Sequence, residues 1–211
     1  MNNQPERRAD PSGPLTLSDI ADSRAYERER DAFRRHVIAV KKLRRVSVGP
    51  IVTLTFENRL TMRFQIQEMA RAEKMTTDEA IQHELDVYNR LLPGPGELSA
   101  TLFLELTTAE ELRTWLPALV GVERSCELHI GPSASAIVVA SVPEADHDAR
   151  LTRPEVTSAV HYVRFPMSAS AAAAFEAGPV RLKVNHRSYP PGHEGAELSD
   201  ESRSELAGDL I

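Results

Sequence analysis

The stretch LSATLFLEL, residues Leu98–Leu106, decides the fold. Apolar residues occupy every second position of this stretch, which is the period of a β-strand with one face in a core. Strand patterns also occur at Arg45–Val48, Ile51–Phe56, Ser125–Ile130, Ala136–Val142, Ala159–Phe165 and Val180–His186. Several of these strands follow one another without an intervening helix, which favours antiparallel pairing.

Helical patterns precede the strands and lie between them. Residues 18–43 are rich in strong helix formers and contain no Pro or Gly. Two more helices are predicted over residues 59–74 and 76–92, and the short loop between them makes them antiparallel neighbours. We therefore predict an α+β fold with a mixed, largely antiparallel sheet, helices packed mainly on one face, and a preceding N-terminal helix. Residues 1–14 are expected to form a disordered tail and residues 15–211 a single α+β domain.

The composition is that of an ordinary globular protein, with 41% hydrophobic and 27% charged residues. No apolar run approaches the length that crosses a bilayer, and the polar N-terminus lacks the apolar region of a secretory signal. The single cysteine excludes an intrachain disulfide and fits a reducing compartment. These features predict a cytoplasmic protein that does not enter a membrane.

The net charge of −6 is unevenly distributed. Residues 1–45 hold 11 Lys/Arg against 7 Asp/Glu, a net charge of +4, whereas the remainder carries −10. The basic run KKLRR at residues 41–45 could bind phosphate or RNA, and the alternative is a helix end exposed to solvent. The acidic remainder and the aromatic content of 5% argue against nucleic acid as the partner.

Motifs of the common enzyme classes are absent from the sequence. It contains no G-x-G-x-x-G, G-x-x-x-x-G-K-[ST], G-x-S-x-G, H-E-x-x-H or C-x-x-C. Cys126 alternates in phase with Leu128 and Ile130, which favours a buried structural cysteine over a nucleophile. The sequence therefore leaves open whether the protein is an enzyme.

The densest polar stretch is FENRLTMRFQIQEMARAE, residues 56–73. Wound as a helix, it carries apolar residues on both sides, so it is expected to be covered on both sides with its polar groups partly buried. The next helix places Glu84 on its apolar side. The candidate polar site that follows comprises Glu57, Arg59, Gln65, Gln67, Glu68, Arg71, Glu73 and Glu84.

Two histidines show a similar inward-facing pattern on strands. His161 alternates in phase with the apolar residues of 159–165, and His186 with those of 180–186. Inward-facing carboxylates and imidazoles are the groups from which metal and acid–base sites are built. Glu73, Glu84, His161 and His186 are therefore candidate metal ligands, although no His-x-x-x-His spacing supports a metal and the cofactor stays open.

The same residues also have a purely structural interpretation. Glu73 and Glu84 can pair with neighbouring arginines, and the histidines can bond to backbone carbonyl groups at the edge of the core. The arginines in question are Arg59, Arg63, Arg71 and Arg90. A metal site requires the four candidate ligands to converge, whereas the structural interpretation requires each to be engaged separately.

Several motifs together resemble a bacterial family known only as a domain of unknown function. They are FENRxTxxFQIQEMxRxE (residues 56–73), GELSATL (96–102) and AVHYVRF (159–165). The resemblance covers roughly residues 15–210 and implies a cytoplasmic protein, often encoded beside rubrerythrin-like and iron–sulfur oxidoreductase proteins. It thus implies a role in redox or oxidative-stress physiology with a redox protein as partner. It supplies no catalytic residue.

Two functions follow from these observations. The first is an accessory or binding protein in bacterial redox physiology that uses the helix block around Gln65, Gln67, Glu68 and Arg71 as a partner or ligand surface. The second is a metal-dependent or acid–base enzyme that uses the inward-facing Glu and His residues. The sequence does not give the ligand or the oligomeric state.

Overall fold

The structure, a computed structural model, describes residues 13–145, 155–193 and 195–210. Most of the predicted disordered tail, residues 1–12, lies outside the described residues. The described chain divides into two compact units, one within Met1–Ala39 and Asn58–Leu92 and the other within Val40–Glu57 and Pro93–Ile211. We call them the helical unit and the sheet unit. The single domain over residues 15–211 stays a prediction, because a division into compact units does not show which parts fold alone.

The helical unit is built from three helices. They are α1 (Ser23–Arg44, of which the part up to Ala39 belongs to this unit), α2 (Arg59–Ala72) and α3 (Asp78–Tyr88). A reciprocal cap starts α2, since the Asn58 side chain accepts from the Thr61 backbone N–H at 3.0 Å and the Thr61 hydroxyl accepts from the Asn58 N–H at 2.9 Å. Helix α3 begins after Thr77, one residue later than the sequence pattern predicts.

Aromatic contacts connect α1 with α2. The Phe33 ring meets Tyr26 on its own helix at 6.4 Å and Phe64 of α2 at 5.8 Å, both edge-on. The Arg63 guanidinium lies 4.8 Å from the centre of the Phe33 ring. Edge-on rings and a cation over a ring face are both favourable arrangements, so Phe33 is the packing centre of this pair of helices.

Among its described residues, the sheet unit contains two sheets and three further helices. The strands are β1 (Arg45–Val48), β2 (Val52–Glu57), β3 (Glu97–Leu104), β4 (Cys126–Ile130), β5 (Ile137–Ala140), β6 (Val142–Pro143), β7 (Val160–Pro166), β8 (Val180–Val184) and β9 (Gly195–Glu197), and the helices are α4 (Ala109–Ala118), α5 (Ala169–Ala177) and α6 (Asp200–Ala207). The first sheet has the order β1-β2-β3-β7-β6 and the second β5-β4-β8-β9. Every pairing between the described strands is antiparallel.

Strand β3 is the centre of the first sheet. Its predicted apolar face is buried, with Leu102 opposite Leu54 of β2 on one side and opposite His161 of β7 on the other. The buried faces of both sheets belong to one hydrophobic cluster, which also takes Phe175 from α5 and Leu206 from α6. The core of this unit therefore lies between the two sheets and the helices that pack on them.

The α+β class with antiparallel pairing and an N-terminal helix is confirmed, but the strands form two sheets where the sequence suggested one. The predicted strand Ala136–Val142 divides at Ser141 into β5 and β6, which belong to different sheets. The Ser141 hydroxyl accepts from the Cys126 N–H at 3.2 Å and donates to the Glu123 carbonyl at 2.8 Å. The Ser141 N–H still donates to the Cys126 carbonyl at 2.8 Å, while the Cys126 N–H bonds to the Ser141 side chain where a regular ladder would use a backbone carbonyl.

Candidate functional site

Glu68 is the centre of a polar network in the helical unit. Arg30 donates from Nε to Oε1 at 2.8 Å and from Nη2 to Oε2 at 2.7 Å, and the Tyr26 hydroxyl donates to Oε1 at 2.6 Å. The hydrogen bond from Arg30 is the main reason that the pKa of Glu68 is below its usual range. Burial, followed by the contact with Glu68, raises the pKa of Tyr26. The network therefore holds an ionised carboxylate in one fixed orientation.

Gln67 and Arg71 hold the beginning of α1. The Gln67 side chain accepts from the Ala21 N–H at 3.0 Å and donates to the Ala21 carbonyl at 2.9 Å, so it satisfies both backbone groups of one residue. Gln67 is only 2% exposed. Arg71, one helical turn further, pairs with Glu27 of α1 at 2.5 Å. These contacts fix the segment before α1 against α2.

Arg59 and Gln65 are also engaged within the helical unit. Arg59 donates to the Gly13 carbonyl at 3.1 Å and pairs with Asp19 at 2.8 Å. Gln65 forms a hydrogen bond with Tyr88 of α3, although burial dominates and raises the Tyr88 pKa. Five of the eight predicted polar-site residues thus hold the helical unit together. They are Arg59, Gln65, Gln67, Glu68 and Arg71.

A cavity of about 360 Å³ lies beside Gln67 and Arg71, and we call it the helical-unit cavity. Both apolar and polar residues line it, and the polar ones include charges of both signs. The apolar lining consists of Leu17, Ile20, Ala21, Ala70, Met75 and Ile81, and the polar lining of Asp22, Ser23, Arg24, Tyr26, Gln67, Arg71, Thr76, Thr77 and Asp78. Apolar surface combined with polar groups that can orient a ligand is typical of a small-molecule site.

Most of the cavity residues are absent from the sequence-based site. Only Gln67 and Arg71 are common to both, because the predicted site collected polar residues of 57–84 whereas the cavity also takes apolar residues such as Ala70 and the segment 17–26. Asp22 lies inside the predicted helical stretch of residues 18–43, whereas α1 begins at Ser23, directly after it. Its carboxylate accepts from the N–H groups of Arg24 and Ala25, each at 2.9 Å.

The remaining three carboxylates of the predicted site are placed differently. Glu57 belongs to the sheet unit, where Thr101 donates to its Oε1 at 2.7 Å and its buried Oε2 has no hydrogen-bond partner among the described residues. Glu73 is exposed, contrary to its predicted inward position, and it is the C-cap residue of α2. Glu84 is half-buried, close enough to Tyr88 to affect its pKa.

The two histidines of the predicted metal site have structural partners. His161 is buried with Nε2 at 2.8 Å from the Thr157 hydroxyl and 3.0 Å from the Ser158 carbonyl. His186 has Nε2 at 3.0 Å from the Val120 carbonyl, while its Nδ1 accepts from the Ser188 N–H at 3.2 Å. Within the described residues, no three or more His, Cys, Asp or Glu side chains form a group that could hold a metal ion. These contacts match the structural interpretation of the histidines.

The basic run at residues 41–45 includes a buried arginine. Arg44 donates to the carbonyl groups of Phe56 at 2.9 Å and Glu57 at 3.1 Å, and it pairs with Glu205 and Asp209. Its side chain is fully buried. Arg44 is therefore neither part of a phosphate-binding surface nor a solvated helix end, which corrects both interpretations of this residue.

Cys126 is buried, as its alternation predicted. Burial is the main cause that raises the pKa of its thiol to about 12. A thiol in this state is almost entirely protonated near neutral pH and is a poor nucleophile. No helix in the described residues combines the length and the apolar character needed to span a bilayer.

One family model and one solved structure match most of the chain. The family model described as "Protein of unknown function (DUF3501)" matches residues 14–210. A crystal structure of a "novel protein of unknown function" from Burkholderia pseudomallei K96243 is 35% identical with a TM-score of 0.83, and the match covers 93% of this chain and 99% of that one. No protein with a curated description matches the chain.

Proposed function

The chain belongs to the DUF3501 family, and from this premise we propose that it is an accessory binding protein in bacterial redox or oxidative-stress physiology. We place its binding site in the helical-unit cavity and the protein in the cytoplasm. The partner or ligand surface anticipated around Gln65, Gln67, Glu68 and Arg71 is thereby narrowed to the side that faces this cavity. The function is binding, and the redox setting is the context in which binding takes place.

The observation that carries the proposal is the shape and chemistry of the cavity. Its volume of about 360 Å³ lies at the small end of the range for small-molecule sites. An apolar wall including Ala70, Met75 and Ile81 suits an apolar group, while Arg24 and Arg71 at the rim suit a polar or anionic end. The ligand chemistry that fits is therefore a small amphipathic molecule.

The walls of the cavity are fixed before any ligand arrives. Gln67 holds both backbone groups of Ala21, and Glu68 is held by Arg30 and Tyr26. Side chains whose orientations are already set lose little conformational entropy on binding. A pre-organised cavity of this kind supports a binding role.

The redox setting is supported by the gene neighbourhood that the family resemblance implies. The protein's only thiol, Cys126, is buried with a pKa of about 12 and so is poorly suited to carry electrons or form mixed disulfides. A contribution to redox physiology through binding agrees better with this thiol than a contribution through thiol chemistry. The metal-dependent alternative has no support from His161 and His186, which are held by other groups.

A binding experiment tests the cavity directly. We expect the amphipathic anion 8-anilinonaphthalene-1-sulfonate to bind the full chain saturably, with a fluorescence increase. Ala70→Trp places a large side chain in the cavity and should weaken binding at least about tenfold, equivalent to about 1.4 kcal/mol. Ala72→Trp, on the same helix at an exposed position outside the lining, is the matched control and should bind like the wild type.

Folding is checked for each variant by thermal unfolding. Met75→Trp, at a half-buried position beyond α2, replaces Ala70→Trp if that variant does not fold. Equal binding by the cavity-filled and control variants would refute the helical-unit cavity as the site.

A genetic experiment tests the redox setting. Deletion of the gene in a bacterium that carries it should increase sensitivity to hydrogen peroxide. Complementation with the wild type or Ala72→Trp should restore resistance, whereas Ala70→Trp should not. A deletion strain as resistant as its parent would refute the proposed setting, and rescue by Ala70→Trp would refute the role of the cavity in it.

A further inference from the structure

A second cavity, of about 710 Å³, lies in the sheet unit and is unrelated to the binding site proposed above. Strands β4, β8 and β9 contribute to it, together with the segment that follows β8. We call it the sheet-unit cavity. The residues that carry the argument are Glu127, His129, Arg181, Lys183, Asn185 and Arg187.

The strand register explains why charged residues collect here. Lys183 of β8 stands opposite Glu127 of β4, and Arg181 stands opposite His129. The residues that alternate with them along the strands are buried in the core, so these four share the opposite face of the sheet. The second sheet thus has one apolar face and one face lined with ionisable groups.

Strand β9 leaves room above this face. Gly195 is the β9 partner of Lys183 and contributes no side chain. A Cβ at this position would lie 3.3 Å from Cδ of Arg181 and 3.5 Å from Cγ of Lys183. The glycine therefore lets the stems of these two cations lie against the β9 backbone.

Glu127 is the one carboxylate among the described residues that line this cavity, and it already has partners within the protein. Glu127 has Oε2 at 2.8 Å from Nε2 of His129, and its Oε1 accepts from the Asn185 amide at 2.9 Å. Although burial opposes it, the hydrogen bonds from Asn185 and His129 lower the pKa of Glu127, so it is ionised at neutral pH. Both of its oxygens are thus directed at protein groups.

The cations of the cavity have fewer partners than Glu127 has. Arg181 meets Glu197 at 3.2 Å in an exposed ion pair, which contributes little. Neither Lys183 nor Arg187 forms an ion pair within the described residues. Among the described residues that line the cavity, Arg181, Lys183 and Arg187 are basic and Glu127 is the one carboxylate.

We propose that the sheet-unit cavity binds a phosphate-bearing small molecule. A phosphate group carries a charge of about −1.5 to −2 and three acceptor oxygens, so it can satisfy several cations at once. Guanidinium groups match its oxygens with two parallel hydrogen bonds, and an ammonium group adds a point charge. The cavity supplies these groups from Arg181 and Lys183 of β8 and from Arg187 of the following segment. A ligand with a single carboxylate has fewer acceptor oxygens and less charge, so it would satisfy the three cations less completely than a phosphate.

Calorimetric titration of the full chain with pyrophosphate, at constant ionic strength, tests the proposal. Pyrophosphate should bind, and Arg187→Gln or Lys183→Gln should each weaken binding about tenfold or more, as expected for the loss of a charge-assisted hydrogen bond. Arg113→Gln is the matched control, since it removes an exposed cation of the same unit that does not line the cavity, and it should change the affinity less than about twofold.

The amide resonances of Gly192 and Gly195, which line the cavity, should shift on titration and locate the site. Three results would overturn the proposal. The first is an absence of pyrophosphate binding. The second is an equal loss for Arg113→Gln and Arg187→Gln, which would mean nonspecific attraction. The third is tighter binding of citrate than of pyrophosphate, which would assign the cavity to carboxylates.

Discussion

Arg30 and Glu68 form a two-point ion pair between residues 38 positions apart, with Nε bound to one carboxylate oxygen at 2.8 Å and Nη2 to the other at 2.7 Å. Tyr26, one turn before Arg30 on α1, donates to the same carboxylate. One side chain of α2 therefore holds two of α1. Because these two helices also line the helical-unit cavity, the network determines how well the proposed site is pre-organised.

The Glu68 network should make stability depend on pH. The pKa of Glu68 in the folded protein lies below its ordinary value of 4.5, to which it returns on unfolding. Its stabilising contribution is thus complete above about pH 4.5 and disappears as the pH falls through the folded-state pKa. We expect Glu68→Gln to be less stable than the wild type at neutral pH, with a difference that narrows in acid.

Urea unfolding at a series of pH values measures this difference. Glu73→Gln, at an exposed position after the same helix, is the control and should differ little from the wild type at any pH. A Glu68→Gln deficit that stayed constant from neutral to acid pH would contradict the assignment to the ionised carboxylate.

Arg44 should be among the most sensitive residues for stability. Its buried guanidinium donates to the backbone carbonyl groups of Phe56 and Glu57, the last two residues of β2, and it pairs with Glu205 and Asp209. Arg44→Met would leave these acceptors without their donor, and breaking a buried pair costs about 3–5 kcal/mol. Lys42→Met, at an exposed position of the same helix end, should change stability by less than about 0.5 kcal/mol. Urea denaturation measures both, and similar losses would show that Arg44 is not specially engaged.

Thr101 should stabilise the sheet unit through the buried carboxyl group of Glu57. Its hydroxyl is the donor to Oε1 at 2.7 Å, and the second oxygen has no partner among the described residues. Thr101→Val preserves the shape but leaves the carboxyl group without a donor, which costs about 1–3 kcal/mol. In the double variant with Glu57→Gln the loss should not simply add, because the two residues interact. Additive losses in a double-mutant cycle would argue against the hydrogen bond.

Cys126 should be unreactive in the folded protein. Its thiol is buried and has a pKa of about 12, so both access and thiolate fraction are low near neutral pH. We expect no reaction with 5,5′-dithiobis(2-nitrobenzoate) under native conditions and one equivalent after unfolding in urea. Rapid labelling of the native chain would show that the core around β4 opens readily.

Local patterns were sufficient to predict most of the regular elements. The alternation of Leu98–Leu106 depends only on the two-residue period of a strand, and β3 does place that face in the core. The capping box at Thr108 and Glu111 is likewise a contact between near neighbours and is present before α4. The structure differs from the prediction where a long-range contact is involved. One predicted strand divides at Ser141 into β5 and β6, and Ser141 bonds to Cys126, 15 positions earlier in the chain.

The candidate polar site also shows that local patterns do not indicate long-range partners. The sequence indicated that the side chains of α2 would be engaged rather than solvated, and Gln67 and Glu68 are. It could not indicate that their partners would be Ala21, Tyr26 and Arg30, because helical periodicity gives the direction of a side chain but not what lies in that direction. It also predicted an inward Glu73, which is exposed, since periodicity does not state how far the neighbouring elements cover a helix face.

The sequence by itself determined most of the secondary structure, the class of fold and the family, because each depends on residue order and short-range geometry. Only the tertiary structure decided which groups meet: Glu68 with Arg30, Arg44 with the backbone of β2, and Lys183 opposite Glu127. The physical reason is that such pairs join distant parts of the chain, and their energies exist only after the core has fixed the distances between them. Both cavities therefore follow from packing rather than from any local motif.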